Sequence, residues 1–187
     1  MQFGRLGSGV AIVIGVASGS LLLSACGGTS GVPNSKRSGS TVSGSTSTSN
    51  TESQRSAVVL QAYSAGWSAF EHALATANAY DSTLPATMVN PQLQHVRANL
   101  LGDSNSGVVG RGTFTLHPKV VSLTSTTATV VDCAYSTSVL VYSQTGKPVP
   151  PVTPPENDGI RATLILSGGK WKISQQSVTD GTCATGS

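Results

Sequence analysis

The composition of this chain breaks once, near residue 57, and that break decides how much of it can fold. Between Gly27 and Ser56, 20 of 30 residues are Ser, Thr or Gly, with no aromatic and only two Val. Such a segment cannot bury enough apolar surface to offset its ordering entropy, so a disordered tether is expected, with a root-mean-square reach of about 30 Å. Core-forming residues begin at Ala57 and continue to Cys183, which is enough chain for one domain with its own apolar core. The expected organisation is therefore residues 1–25, 26–56 and 57–187, of which only the last folds.

The first part carries Arg5, an apolar run from Val10 to Val16 resumed at Leu21, Leu22 and Leu23, and small residues at its exit. This is the layout of a secretory signal. Gly15, Ser18, Gly19 and Ser20 interrupt it and make it a poor permanent spanning helix. The exit, Leu23-Ser24-Ala25-Cys26-Gly27, resembles the bacterial lipobox. That resemblance implies cleavage before Cys26, lipid on its thiol, and an extracytoplasmic protein held to the outer face of the cell membrane. Dual acylation anchors stably where a single chain does not. An ordinary cleaved signal is the plainer alternative. The tether reads as a passive spacer, with O-glycosylation of its Ser/Thr run as the sharper reading, and its one basic pair, Lys36-Arg37, adds little to a covalent lipid.

Past residue 57 the pattern turns helical. Val59, Tyr63, Trp67, Phe70, Leu74 and Ala77 step by three and four, which predicts one amphipathic helix broken by Asp81-Ser82-Thr83 and Pro85. A short second helical turn follows. Asn90-Pro91 reads as an N-cap with Pro at the first helical position, opening a helix that buries Leu93, Val96, Leu100 and Leu101 and ends at Gly102. From Val108 the chain is rich in Val, Thr and Tyr, predicting antiparallel strands at 108–116, 119–123, 127–135, 138–142, 160–166 and 170–178. Tight turns are expected at Ser125-Thr126 and Ser167-Gly168-Gly169. Ile160, Ala162, Leu164 and Leu166, with Trp171 and Ile173 on the returning strand, should face the helices. Five prolines between Gly146 and Gly159 predict a long exposed loop, with a polyproline docking segment as its functional alternative.

Three cysteines in an exported chain leave one to explain. Lipid on Cys26 accounts for it, and Cys133 and Cys183 are then left to pair, closing a loop worth about 4 kcal/mol in the chain-entropy estimate. A redox or metal role is weaker, since there is no CxxC and His72, His95 and His117 share no ligand spacing. No cofactor or metal is expected. Apart from Lys36-Arg37, the Lys and Arg, 11 in all, are scattered singly against 8 Asp and Glu, which is no nucleic-acid footprint.

A long helix, shorter helices and a sheet ending in Gly169-Lys170-Trp171-Lys172-Ile173 resemble the NTF2-like, or cystatin-like, α+β class, in particular its small secreted actinobacterial members. Val130-Val131-Asp132-Cys133, Gly146-Lys147-Pro148-Val149-Pro150, Arg161-Ala162-Thr163-Leu164 and Gly181-Thr182-Cys183 carry the resemblance. It implies N-terminal helices on a curved antiparallel sheet, forming a cone with a pocket between them. Enzymes of the wider fold, similar to ketosteroid isomerases and polyketide cyclases, place a carboxylate or His and a Tyr in that cone.

Candidates here are Tyr63, His72, Asp132, Tyr135 and Tyr142. Asp132 shares strand parity with Ala128 and Val130, so it would point inward, where desolvation raises its pKa; a bulge would reverse this in favour of Cys133. The plainer reading is an Asp bonded to backbone or exposed. Tyr63, Trp67 and Phe70, with Tyr135 and Tyr142, are the candidate pocket lining, although an aromatic stripe at helical spacing is usually core. No Ser stands in a G-x-S-x-G elbow and no Gly-rich loop matches a phosphate cradle. The leading expectation is a non-catalytic lipoprotein binding a small apolar ligand in the cone or a protein partner on the sheet. The alternative is a cyclase- or isomerase-like enzyme using Asp132 with Tyr63 or His72. A homodimer through the sheet is compatible with the class, but no residue argues for it.

Overall fold

The computed structural model describes residues 46–152 and 154–183. The signal segment, Cys26 and the tether up to residue 45 lie outside the described residues. Helix α1 spans Thr46–Thr76 and so begins eleven residues inside the segment expected to be disordered. Once a helix is nucleated by packing, extending it costs little per residue, and polar residues need no core to join it. Arg55 also fastens this stretch, its guanidinium donating to the Thr124 carbonyl. The predicted apolar stripe is buried as expected: Val59 and Tyr63 are fully enclosed, Trp67 and Leu74 nearly so, and Phe70 packs on their cluster.

The helix ends before the expected break. Asn78 N donates to Ala73 O (2.9 Å) and Ala77 N to Leu74 O (3.2 Å), with Ala77 at φ 49, which is the double bond pattern of a Schellman stop. Helix α2 (Thr83–Thr87) follows, its first turn held by the Asp81 carboxylate accepting the Thr83 N–H at 2.8 Å. The segment after α2 also reaches the sheet: Met88 bridges Ile173, and Val89 N donates to Ile173 O at 3.0 Å, covering part of a strand edge.

Helix α3 spans Gln92–Asn105. Pro91, not Asn90, occupies the N-cap position, with no side-chain cap bond. Gly102 does not end α3: the helix runs three residues past it, because Ser106 N finds the Gly102 carbonyl and the turn closes at Gly107, φ 66. Leu93, Val96 and Leu100 are buried, but Leu101 is exposed, one residue off that face.

The strands are β1 (Val108–Arg111), β2 (Phe114–Thr115), β3 (Lys119–Leu123), β4 (Thr127–Ser136), β5 (Val139–Tyr142), β6 (Glu156–Ser167) and β7 (Lys170–Thr182). The expected strand 108–116 is thus two. β1 pairs with β5 in a small sheet, whereas β2 joins the main sheet, ordered β2-β4-β6-β7 with β3 also on β4. Gly112, φ 111, makes the crossing; a Cβ there would lie 2.4 Å from the Thr137 carbonyl oxygen. The proline-rich loop is shorter than expected. Val149 N donates to Leu140 O and Tyr142 N to Lys147 O, so its start pairs with β5, and β6 begins at Glu156. The Gly168-Gly169 turn has both residues at positive φ, as a two-residue hairpin of this twist requires.

All helices pack on one face of the main sheet. Val130, Ile160, Ala162, Leu164 and Ile173 are buried there as predicted, while Leu166 lies beyond the helices and is exposed. Cys133 and Cys183 form the expected disulfide.

Two glycines test this account of the backbone. Gly102→Ala, in open space inside a helix, should raise stability by about 0.5–1 kcal/mol. Gly112→Ala should lower it by about 2 kcal/mol or more, as judged by urea midpoints at constant slope.

Candidate functional site

Asp132 sits in the middle of β4 and points toward α1, as its parity with Ala128 and Val130 predicts. Burying a carboxylate is costly unless donors meet it. Two do. Tyr63 Oη on α1 donates to Oδ2 at 3.0 Å, and the His117 backbone N–H donates to Oδ1 at 2.6 Å. The His117 ring is held as well: its Nδ1 lies 3.0 Å from the Cys133 carbonyl, which can only accept, so Nδ1 carries the proton. Desolvation nevertheless pushes the Asp132 carboxyl above its ordinary value, partly offset by the His117 and Tyr63 bonds. Burial, and then the charge of Asp132, push the Tyr63 phenol far above its usual range.

Of the residues singled out in the sequence, the structure therefore brings Tyr63 and Asp132 together. His72 is not with them. Its side chain is 69% exposed and pairs with Asp81 at 2.8 Å. Bonds from Thr83, followed by the His72 contact, hold the Asp81 carboxyl below its ordinary value. Trp67 and Phe70 stack edge-on at 6.1 Å, and Trp67 lies 4.7 Å from Phe114, so these aromatics fill the helix–sheet interface. Tyr135 and Tyr142 do not line it: they are 38% and 43% exposed, Tyr135 because it has the opposite parity to Asp132 and Tyr142 because it belongs to the small sheet. Among the described residues, no group of His, Cys, Asp and Glu could hold a metal ion.

A concavity of about 510 Å³ opens against the disulfide. Its lining takes in His117, Pro118, Val131 and Thr179 beside the disulfide, and also Asp132 and Ile160. Val131 and Cys133 have the parity opposite to Val130 and Asp132, so the disulfide stands on the outer face of the sheet, while Asp132 and Ile160 bring the buried side into the same lining. Sequence reasoning missed it, although the signal was present in Gly159. This glycine stands opposite Cys133 in the register and leaves that spot on the sheet without a side chain.

No family model matches the chain, and no curated protein matches it. Among solved structures it is similar to the intermembrane-space region of the chloroplast protein ARC6, with a TM-score of 0.50 and 17% identity over 63% of this chain and 91% of that one. At this identity the likeness is one of fold alone. A protein of unknown function with a cystatin-like fold from Nostoc punctiforme also matches, at a TM-score of 0.39 and 10% identity over 67% of this chain and 91% of that one. The α+β architecture expected from the sequence, helices on one face of an antiparallel sheet, is the one observed.

Burial of Asp132 makes stability depend on pH, because desolvation raises its pKa more than its hydrogen bonds lower it. A raised folded pKa means that the folded chain holds this proton more tightly than the unfolded chain. Its contribution is therefore present below the ordinary value of 3.8 and is lost as pH climbs through the folded value. Asp132→Asn removes that dependence. Its stability relative to the unsubstituted protein should improve as pH rises through this window and then level off, read from urea unfolding at several pH values. Tyr63→Phe should cost about 1.5–3 kcal/mol at neutral pH by taking a donor from a buried carboxylate.

Proposed function

We propose that this chain is an exported protein, anchored to the outer face of a bacterial membrane by lipid on Cys26, whose domain is a non-catalytic binding module working through the outer face of its sheet. The observation that carries the binding part is a contrast. Tyr63, Leu84, Leu164, Ile173 and Val130 fill the space between helices and sheet, while the groove at the disulfide is open to solvent on the opposite face. A ligand in the interior would have to displace fully enclosed side chains, each worth about 1.5–3 kcal/mol of burial. The outer groove asks for no such displacement. Its size lies within the range of about 300–1,000 Å³ usual for small-molecule sites.

The anchoring part rests on Leu23-Ser24-Ala25-Cys26, placed directly after the apolar run. The Ser/Thr/Gly stretch that follows would then hold the domain clear of lipid headgroups. An isomerase- or cyclase-like reading draws on the Tyr63–Asp132 pair, which has the residue types that such chemistry uses. It requires a substrate to reach the carboxylate through the space that Tyr63, Val130, Leu164 and Ile173 fill. The binding reading needs no such rearrangement and is the one adopted.

Growth of a bacterium expressing the full chain with an alkyne-bearing fatty acid tests the anchor. The unsubstituted protein should take up the label and stay with the membrane, and Cys26→Ser should lose both. An unlabelled protein that still fractionates with the membrane would contradict the proposal.

A further inference from the structure

The end of β7 is held to the sheet by less than the rest of the strand. From Lys170 to Val178 it pairs with β6, and Ile173 is fully buried beneath the helices. Past Val178 the ladder opens. Thr179, Asp180 and Gly181 stand opposite Gly159 alone, and pairing resumes only at Asp158–Thr182, just before Cys183 bonds to Cys133. No hydrophobic residue stands between Thr179 and Thr182 to anchor this stretch in the core. Among the described residues, one register pair and one covalent bond therefore hold residues 179–183. A segment left with the pair alone frays at little cost, whereas the ladder up to Val178 and the Tyr63–Asp132 bond do not depend on the disulfide.

The covalent bond is also within reach of solvent. Both cysteines line the groove of about 510 Å³, where Cys183 is half-buried and Cys133 is 8% exposed. Disulfides open to solvent are the ones that exchange readily with thiols. Gly159 keeps the space beside this one clear, since a Cβ there would lie 3.9 Å from Cys183 Cβ and 2.2 Å from Thr179 Oγ1.

We propose that the Cys133–Cys183 bond is a reducible latch, opened when a dithiol enters the groove, and that the freed end of β7 takes one wall of the groove away with it. A thiolate of the dithiol attacks the sulfur of Cys183, the more exposed of the two. A mixed disulfide forms, and Cys133 leaves as a thiolate that takes a proton from water. The second thiol of the reductant, also as its thiolate, attacks the reductant's own sulfur in the mixed disulfide and releases Cys183 in the same way. The dithiol ends as a disulfide, oxidised by two electrons, and the two protons it gave up are matched by those on the new protein thiols. An apolar ligand resting on Val131, Pro118 and the disulfide is then released, because Thr179 and Cys183 no longer wall it in. This control of binding rests on the reading that the domain binds through the outer face of its sheet; the exchange reaction does not.

The full chain carrying Cys26→Ser, which keeps only the two cysteines of the latch, separates these parts. Dithiothreitol is added in native buffer, and free thiols are counted by alkylation and mass. Both cysteines should become alkylated at a rate within about tenfold of that in guanidinium chloride, as for a solvent-open disulfide. Amide hydrogen exchange should then quicken at residues 179–183 and stay slow around Tyr63 and Ile173. A bond that yields only in denaturant, or a reduced chain that loses protection throughout, would mark a purely structural disulfide and overturn the latch. The uncharged fluorescent probe N-phenylnaphthylamine reports on the groove. It should bind the oxidised protein, weaken about tenfold on reduction, and weaken as much in oxidised Val131→Trp, whose circular dichroism should be unchanged. Equal binding before and after reduction, with Val131→Trp still weakening it, overturns the control of binding and leaves the outer-face reading standing. Binding that ignores Val131→Trp, or no binding to the oxidised protein, sinks the outer-face reading and the control of binding together, whatever the thiols do.

Discussion

The hydrogen bond from Tyr63 to Asp132 joins the two layers of this domain at their centre. A carboxylate in the middle of a sheet, facing the helices, is tolerable only with donors on it, and the fold supplies one from each side: a phenol from α1 and a backbone N–H from the segment leading into β3. That requirement fixes how α1 lies. With Tyr63 held over β4, Val59 and Trp67, one turn to either side, must fall on the same face, and both are buried. Trp67 then meets Phe70 and Phe114, so the aromatic cluster follows from the placement of one hydroxyl. Asp132 and Tyr63 thus hold the layers together.

A second tie works on the opposite face. The disulfide fastens the end of β7 to the centre of β4, one residue along from Asp132. It closes a loop with a sequence separation of 50, for which the chain-entropy estimate is about 4 kcal/mol. Inward, position 132 bonds the helix; outward, position 133 bonds the last strand. The glycine opposite Cys133 leaves room for Thr179 to cross, and the groove is the space that remains.

Most of the fold was legible because its signals are local. The helical stripe from Val59 to Leu74, the alternation from Ile160 to Leu164 and the Gly168-Gly169 turn each declare themselves within a dozen residues. The pairing of Cys133 with Cys183 was legible by counting thiols once Cys26 was set aside. What was missed depends on contacts distant in sequence. Gly112 reads as part of one strand until Thr137 is seen to occupy the place of its side chain. Gly102 reads as a helix stop, yet the helix stops where the chain must turn to form β1. Of the candidate site, the inward direction of Asp132 followed from parity, and its meeting with Tyr63 needed the helix to be placed. Tyr135 and Tyr142 were grouped with them by residue type, which does not distinguish one face of a sheet from the other. Gly159 was the one sign of the groove; the rest of it arises from a bulge, and a bulge changes register without changing composition.

The central claim is that the space between helices and sheet is closed and that the domain receives ligands on its outer face. Crystals of the protein under xenon pressure test this directly, since xenon enters apolar cavities that other probes do not reach. The account predicts no xenon among Tyr63, Leu84, Leu164 and Ile173, and xenon against Val131 and the disulfide. Xenon bound beside Tyr63 and Asp132, with the outer groove empty, would contradict it.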